Sequence, residues 1–235
     1  MIFIEAESMS QIMNKIRSRG YWRIVIRPDK FLQDRIKYSD LLPILQRISV
    51  QTASMSIGFP HIDPSRPLIR KLKWIGDEFD FLELVEAWRF YQSGQFARRS
   101  AMWLDWQDQP GWVTAQGERK PEVALSISEI VLRFTEIYEF AARLALSEIN
   151  TQRLCIDITV CNLGKRFLFD GRQGRVGFVT KYRADIAEFP HEQHVSQQAL
   201  ISEAKELALD ASRELFSRFA WNPSQDFLQT IQARE

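Results

Sequence analysis

The feature that most constrains this chain is the way its strand-forming runs are joined. The runs 86–92 (EAWRFYQ) and 95–106 (QFARRSAMWLDW) are both rich in strand-forming residues, and only Ser93-Gly94 separates them. A two-residue connection reverses the chain into an antiparallel pair, and glycine supplies the positive φ that such a turn requires. The sequence therefore predicts an antiparallel hairpin over 86–106 that turns at Ser93-Gly94.

Two further runs near the middle of the chain indicate a second hairpin. The runs 68–75 (LIRKLKWI) and 78–85 (EFDFLELV) flank Gly76-Asp77, a dipeptide typical of tight turns. An earlier run, 21–27 (YWRIVIR), alternates apolar and polar residues in the manner of a half-buried strand. We predict strands over all three runs and a turn at Gly76-Asp77.

A second group of strands is expected in the C-terminal half. The run 154–161 (LCIDITVC) alternates so that its core-facing residues are Leu154, Ile156, Ile158 and Val160. Asn162-Leu-Gly164 is predicted to turn the chain into 165–170 (KRFLFD). The run 175–183 (RVGFVTKYR) is predicted to be the third strand of this meander.

Helices are indicated by capping signals followed by apolar residues at helical spacing. Ser8 and Gln11 form a capping box that predicts a helix from about Met9 to Arg19, and Ser39-Asp40 begins a shorter helix that ends near Val50. A second capping box at 126–129 begins a long helix, and a final helix is predicted over 197–219.

The order of these elements determines the predicted fold class. The strands occur in hairpins and not in strand–helix–strand alternation, so we predict an α+β fold of antiparallel hairpins and meanders packed against two long and two short helices. We interpret 1–235 as a single unit. The alternative is two subdomains, 1–106 and 123–235, joined by the loop 107–122, which is the longest stretch without periodicity.

Cysteine usage and hydropathy predict the compartment. Cys155 and Cys161 lie on one predicted strand, where a rise of about 3.3 Å per residue separates their Cα atoms by about 20 Å. This distance is too long for a disulfide, and free thiols are typical of a reducing compartment. The N-terminus does not resemble a signal peptide, and no apolar run approaches the ~20 residues of a membrane span. We therefore expect a cytoplasmic protein without a membrane partner.

Motifs of known chemistry give no catalytic assignment. The phosphate-binding glycine loops and the G-x-S-x-G nucleophile motif do not occur. Glu118-Arg-Lys120 resembles the E-x-K element of metal-dependent nucleases, but it lies in a predicted loop, whereas that chemistry requires a strand. Asp157 lies on an apolar strand and is predicted to face the solvated side with Arg153 and Thr159.

The two histidines of His191-Glu-Gln-His194 are one candidate for a metal-binding pair. Zinc requires a third or fourth ligand, and the remaining histidine, His61, is distant in sequence. We interpret this segment as a solvated turn and both cysteines as packing residues. The sequence therefore yields no catalytic residue, no metal ligand and no cofactor.

An unusual interleaving of aromatic residues with arginine marks the predicted sheet. In proteins that bind single-stranded nucleic acid, aromatic rings stack on bases while arginines contact phosphates. Tryptophan and arginine are also enriched at the centres of protein–protein interfaces. A third interpretation is that the aromatics fill the core and the arginines line the outer face. The candidate binding residues are Trp22, Arg23, Trp88, Arg89, Tyr91, Gln92, Arg98 and Arg99.

Three strings of the chain carry a resemblance to a known group of sequences. They are RGYWRIVIRP (19–28), GFPHID (58–63) and EAWRFYQSGQF (86–96). Together they resemble a family of uncharacterised bacterial proteins that share a G-Y-W-R strand and a W-R-x-Y-Q-S-G-Q-F hairpin. The resemblance covers most of the chain, including RFAW (218–221). It implies an association with nucleic-acid-directed or defence systems, and it supplies no catalytic residue.

These observations give three functional hypotheses. The first is a non-enzymatic subunit of a prokaryotic multi-protein assembly, related to defence or nucleic acid, whose aromatic and arginine-rich sheet binds a protein partner. The alternative is a protein that binds nucleic acid directly, and a further alternative is a metal-dependent nuclease. The net charge of +1, from 31 basic and 30 acidic residues, argues against bulk electrostatic binding of nucleic acid and leaves room for a local basic face.

Overall fold

The computed structural model describes residues 10–52, 55–81, 84–106, 124–170 and 182–233. Within these ranges the helices are α1 (Gln11–Arg17), α2 (Leu41–Ile48), α3 (Ile127–Leu146), α4 (Gln197–Ser217) and α5 (Gln225–Gln232). The strands are β1 (Tyr21–Pro28), β2 (Val50–Thr52), β3 (Met55–Phe59), β4 (Ile69–Lys71), β5 (Trp74–Phe81), β6 (Leu84–Tyr91), β7 (Phe96–Ala101), β8 (Ala124–Ser126), β9 (Arg153–Cys161), β10 (Phe167–Phe169) and β11 (Glu188–Ser196). The predicted α+β class is confirmed.

A seven-stranded antiparallel sheet is the centre of the fold. Its strand order is β11-β9-β1-β7-β6-β5-β4. Strand β1 pairs with β7 on one side and with β9 on the other, so one sheet contains strands from both 1–106 and 123–235. Two small pairs lie outside it, the antiparallel β2 and β3 and the parallel β8 and β10.

One face of the sheet packs on the helices and forms the core. The predicted alternation along β1 is confirmed, and it buries Trp22, Ile24 and Ile26. Aromatic contacts fix α3 against this face, because Phe134 meets Trp22 edge-on with ring centroids 5.5 Å apart and Phe140 lies 4.5 Å from Phe96. Within the described ranges, α1 covers part of the opposite face, which we call the open face.

The predicted antiparallel hairpin with its turn at Ser93-Gly94 is confirmed, but its second strand is shorter than the predicted 95–106, because β7 ends at Ala101 and Trp103–Trp106 form a 3-10 helix. Strands β6 and β7 pair antiparallel, with Phe90 opposite Phe96. Gly94 has a φ of +82°, a conformation that residues other than glycine rarely adopt. Its N–H donates to the carbonyl of Tyr91 at 2.9 Å. The backbone requirement of the turn therefore explains the glycine.

The predicted turn at Gly76-Asp77 is wrong, because both residues lie inside β5. The chain reverses earlier, between the paired residues Lys71 and Trp74. A Cβ atom at position 76 would lie 2.4 Å from the carbonyl oxygen of Trp88, so glycine serves the close approach of two strands and not a turn. Eight residues of β5 thus remain extended and pair along β6.

The segment 191–194 is also not the predicted solvated turn. It lies within β11, an edge strand that pairs with β9 along its whole length. Pro190 is compatible with this position because an edge strand has one side without ladder hydrogen bonds. The second predicted meander is likewise altered, since β10 leaves the main sheet to pair with β8, and 175–181 lie outside the described ranges.

The helices differ from prediction mainly at their ends. Ser10 caps α1 by accepting from the N–H of Met13 at 3.2 Å, so the helix begins at Gln11, two residues later than predicted, while Ser8 lies outside the described residues. Ser126 caps α3 as predicted. The C-terminal α5, capped by Ser224, was not predicted, because only two turns of helix carry its apolar signal.

Two further predictions concern the state of the cysteines and the presence of membrane-spanning helices. Cys155 and Cys161 are free thiols, as expected. None of the helices in the part of the chain that the structure describes has the length and apolar character needed to span a bilayer. The predicted loop 107–122 and the Glu118-Arg-Lys120 motif within it lie outside the described ranges.

Candidate functional site

The sheet separates the predicted binding residues onto two faces. Trp22, Trp88 and Arg98 lie on the core side, with exposures of 0%, 1% and 2%. Trp88 donates its indole N–H to the carbonyl of His61 at 2.9 Å. These three side chains are therefore structural, which corrects their prediction as binding residues.

Gln92 is also a structural residue. Its side-chain amide donates to the carbonyl of Ile36 at 3.0 Å, and the N–H of Ile36 donates back to the carbonyl of Gln92 at 2.9 Å. Both groups are buried, where an unpaired amide would carry a desolvation penalty. Gln92 thus fastens the loop before α2 to the hairpin.

The remaining candidates lie together on the open face. Alternation along three neighbouring strands turns Arg23, Arg89, Tyr91 and Arg99 outward, and all four are half-buried. Arg23 of β1 lies directly opposite Arg99 of β7, and Arg99 is opposite Ala87 of β6, two residues from Arg89. Cross-strand neighbours stand about 5 Å apart, so strand register collects the three guanidinium groups in one place. We call Arg23, Arg89 and Arg99, together with Arg17 from α1, the arginine cluster.

Arg99 is the electrostatic centre of the arginine cluster. Burial lowers the pKa of its guanidinium, and the like charges of Arg17, Arg23 and Arg89 lower this pKa further. Among the described residues, Arg99 has no ion-pair partner, whereas Arg23 pairs with Asp157 at 3.4 Å. The fold therefore holds a positive charge among other positive charges, an arrangement that an anion would stabilise.

Arg23 is held in place by the neighbouring strand. Its guanidinium donates to the hydroxyl of Thr159 at 2.8 Å and to a carboxylate oxygen of Asp157 at 3.4 Å. Asp157 is half-buried on the open side of β9, the side that was predicted for it. Asp157 therefore positions an arginine.

Aromatic side chains lie beside the arginine cluster. The guanidinium carbon of Arg89 lies 4.5 Å from the ring centre of Trp74, and the Trp74 and Tyr91 rings are 6.2 Å apart. At the other end of β1 lies Tyr21, and burial raises the pKa of its phenol from 10.0 to about 12. Flat rings and cations thus share one surface.

An open groove of about 630 Å³ runs along this face. Its floor is formed by β1, β5, β6 and β7, and its rim by α1 and the turn between β4 and β5. A groove of this volume is large enough for a nucleotide-sized ligand. Rim residues include Met13, Lys71 and Leu72.

Sequence reasoning missed Trp74 and Arg17 as members of this site. Trp74 has the same parity as Gly76 and Glu78, but the expected turn at Gly76-Asp77 broke that pattern. Arg17 lies in the last turn of α1, and only tertiary packing brings that turn over β6 and β7. The alternation of β5 was the available signal for Trp74, and Arg17 had none.

A second set of charged residues is buried on the core side. Arg98 pairs with Glu86, and Arg133 pairs with Glu136 at 2.8 Å. Burial raises the pKa of Glu129 to about 7 against the opposing attraction of Arg133. Within the described part of the chain, neither carboxyl oxygen of Glu129 has a hydrogen-bond partner. This set is enclosed by the sheet and α3, so we interpret it as structural.

Comparison with protein-family models, curated proteins and solved structures finds no match to this chain. The resemblance of its GYWR and WRFYQSGQF strings to a bacterial family stays a prediction. Function is therefore inferred from the chemistry of the arginine cluster and the groove.

Proposed function

We propose that this protein binds single-stranded nucleic acid, with the arginine cluster contacting phosphates and the rings of Trp74 and Tyr91 contacting bases. The observation that carries the proposal is the position of Arg99 among Arg17 and Arg23 without a carboxylate partner in the described ranges. Like charges held together raise the free energy of the free protein, and a bound phosphate lowers it.

The aromatic groups favour nucleic acid over a simple anion. Stacking of a base on an aromatic side chain contributes about 1–3 kcal/mol and is independent of base identity. Trp74 and Tyr91 lie on the same face as Arg89, so phosphate and base contacts can be made side by side. Double-stranded nucleic acid presents its bases as closed stacks, and the groove therefore favours a single strand.

The distribution of the candidate residues between the two faces of the sheet changes the order of the functional hypotheses. Trp22 and Trp88, two of the candidate binding residues, are in the core and cannot anchor a protein interface. What remains on the open face is a groove in which the arginine cluster, Lys71 and Lys73 outnumber the carboxylates of Asp77, Glu78 and Asp157, with a smaller aromatic component. These properties support direct binding of nucleic acid over binding of a protein partner.

An acidic protein segment is the second candidate ligand. It is favoured by apolar side chains at the rim of the groove, where Leu72 is 86% exposed and Ile69 is 36% exposed. Such residues suit the apolar positions of a peptide, and carboxylates satisfy arginine as phosphates do. This alternative predicts that an acidic polypeptide competes for the same face.

Fluorescence anisotropy with labelled oligonucleotides tests the proposal. We expect the full chain to bind single-stranded DNA or RNA more tightly than duplex of equal length, with an affinity that falls as salt rises because phosphate contacts release counterions. Polyglutamate of matched charge serves as the acidic-protein probe. Equal affinity for polyglutamate and oligonucleotide, or tighter binding of polyglutamate, would favour the second candidate.

Neutral replacements of single arginines identify the surface that binds the oligonucleotide. Arg99→Gln and Arg23→Gln should each weaken oligonucleotide binding uniformly across sequences and lower the magnitude of the salt slope by about one per lost phosphate contact. Arg47→Gln is the matched control, because Arg47 is exposed and pairs with Glu148 away from the groove. Absence of oligonucleotide binding at about 10 µM protein in about 50 mM salt would contradict the proposal, and so would equal loss in the Arg47 variant.

A further inference from the structure

A group of three potential metal ligands lies at the other end of the sheet. One ligand atom from each of Cys155, Glu192 and His194 lies within 4.8 Å of the other two. Cys155 is buried on β9, whereas Glu192 and His194 are exposed on the edge strand β11. The group brings together a sulfur, a nitrogen and an oxygen ligand, the donor set of many zinc sites.

Strand register assembles this group. His194 lies directly opposite Cys155 in the antiparallel pairing of β11 with β9. Glu192 is two residues from His194 and therefore points to the same face. His191 is three residues from His194, so it points to the core side, where its ring contacts the hydroxyl of Tyr138 at 2.9 Å. The two histidines thus do not form the pair that the sequence raised.

A neighbouring carboxylate orients the histidine. Asp29 contacts Nδ1 of His194 at 2.7 Å and is itself held by Arg153 at 3.4 Å. The other ring nitrogen, Nε2, is 3.3 Å from a carboxylate oxygen of Glu192. Metal-bound histidines commonly donate Nδ1–H to such a carboxylate, which fixes the ring and leaves the lone pair of Nε2 for the metal.

We propose that Cys155, Glu192 and His194 bind a zinc ion or a similar divalent transition metal, with Asp29 as the positioning residue for His194. The mixed sulfur, nitrogen and oxygen donors select against Mg²⁺ and Ca²⁺, which prefer oxygen alone. The ion replaces the thiol proton of Cys155, so that binding of each ion releases that proton to solvent. Water completes the coordination on the exposed side of the strand.

The geometry requires only a small adjustment. Zinc lies about 2.3 Å from sulfur and about 2.0–2.2 Å from nitrogen or oxygen, so ligand atoms around a tetrahedral ion are about 3.3–3.7 Å apart. The observed spacing is therefore within reach of rotamer changes in Glu192 and His194, whose side chains are about half exposed.

Cobalt(II) titration of the reduced, EDTA-treated full chain tests this site. We expect one equivalent of Co²⁺ to give visible d–d absorption and a thiolate-to-cobalt charge-transfer band in the near ultraviolet, and Zn²⁺ to displace it. Cys155→Ser should abolish the charge-transfer band, and His194→Gln should weaken binding by about 10-fold or more. Asp29→Asn should weaken binding by about 10–100-fold while the band is retained at saturation.

Matched controls separate the site from nonspecific thiol binding. Cys161 is the other free thiol, on the same strand and the same face, and Cys161→Ser should leave the titration unchanged. His191→Gln should also leave it unchanged. If Cys155→Ser does not fold, the exposed Glu192→Gln and His194→Gln variants test whether these side chains bind the metal. The proposal is overturned if no charge-transfer band forms, or if the band persists in His194→Gln with unchanged affinity. It does not depend on the arginine cluster.

Discussion

Arg98 and Glu86 form an ion pair inside the core, with side-chain exposures of 1% and 0%. Glu86 also accepts from the backbone N–H of His61 at 3.1 Å, and the guanidinium of Arg98 lies 4.4 Å from the ring centre of Phe59. The next residue along the chain, Arg99, points to the opposite face and belongs to the arginine cluster. Two consecutive arginines therefore lie in different environments, Arg98 in a buried ion pair and Arg99 in the cluster that we propose to bind phosphate.

The buried pair gives a prediction about stability. Arg98→Met should lower the free energy of unfolding by about 3–5 kcal/mol, because Glu86 is left charged and unpaired in the core. The double variant Arg98→Met/Glu86→Gln should recover most of that loss. Arg99→Met should change the free energy by less than about 1 kcal/mol. Urea unfolding measures all three, and an equal loss at positions 98 and 99 would contradict the assignment of faces.

Glu129 predicts a dependence of stability on pH. Burial raises the pKa of its carboxyl from the ordinary 4.5 to about 7, so between these values the folded chain holds a proton that the unfolded chain releases. The stabilisation is complete below about pH 4.5 and is lost as the pH rises through about 7. Between these pH values the free energy of unfolding of wild type should fall by up to about 3 kcal/mol more than that of Glu129→Gln.

Urea unfolding at a series of pH values measures the Glu129 effect. The exposed Glu148→Gln variant is the control, because its carboxylate lies at the surface beside Arg47. Wild type and the Glu148 variant should show the same pH profile. Parallel profiles for wild type and Glu129→Gln would show that the buried carboxyl does not titrate in this range.

Two tryptophans on opposite faces of the sheet give a matched pair. Trp88→Ala should cost about 3–5 kcal/mol of stability through the lost core volume and the lost hydrogen bond to His61. Trp74→Ala should cost less stability but weaken oligonucleotide binding by about 1–3 kcal/mol, the size of one stacking contact. Anisotropy at a temperature where both variants are folded checks this division. Reduced binding by Trp88→Ala alone would contradict it.

The hairpin turn predicts a difference between two glycines. Gly94→Ala should lower stability by about 1–2 kcal/mol, because φ is +82° and the new Cβ would meet the Cδ atom of Arg35 at 3.2 Å. At Gly164 a Cβ would meet no atom of the described residues within 4 Å, and φ is outside the left-handed region, so Gly164→Ala should be neutral or slightly stabilising. Thermal unfolding compares the two variants, and equal effects would contradict the turn geometry.

Local signals predicted several elements correctly. The Ser93-Gly94 turn, the Ser126 cap of α3 and the alternation of β9 all depend on the backbone geometry of a few consecutive residues. The Gly76-Asp77 turn failed for the opposite reason. Leu72 and Lys73 carry no turn signal, yet the chain reverses there because pairing with β6 outweighs local preference.

The sequence by itself determined the fold class, most strands, and the set of residues that alternate together. It did not determine which side of each strand is covered. Alternation shows which residues of a strand share a face, but it does not show which face packs on the core. The run FARRSA (96–101), for example, does not indicate which of its two arginines faces the core. Strand pairing decides this, because it places Glu86 of β6 beside Arg98 on the core face and Arg23 of β1 beside Arg99 on the open face. Only the tertiary register, which joins strands distant in the chain, placed Cys155 opposite His194 and collected the arginine cluster.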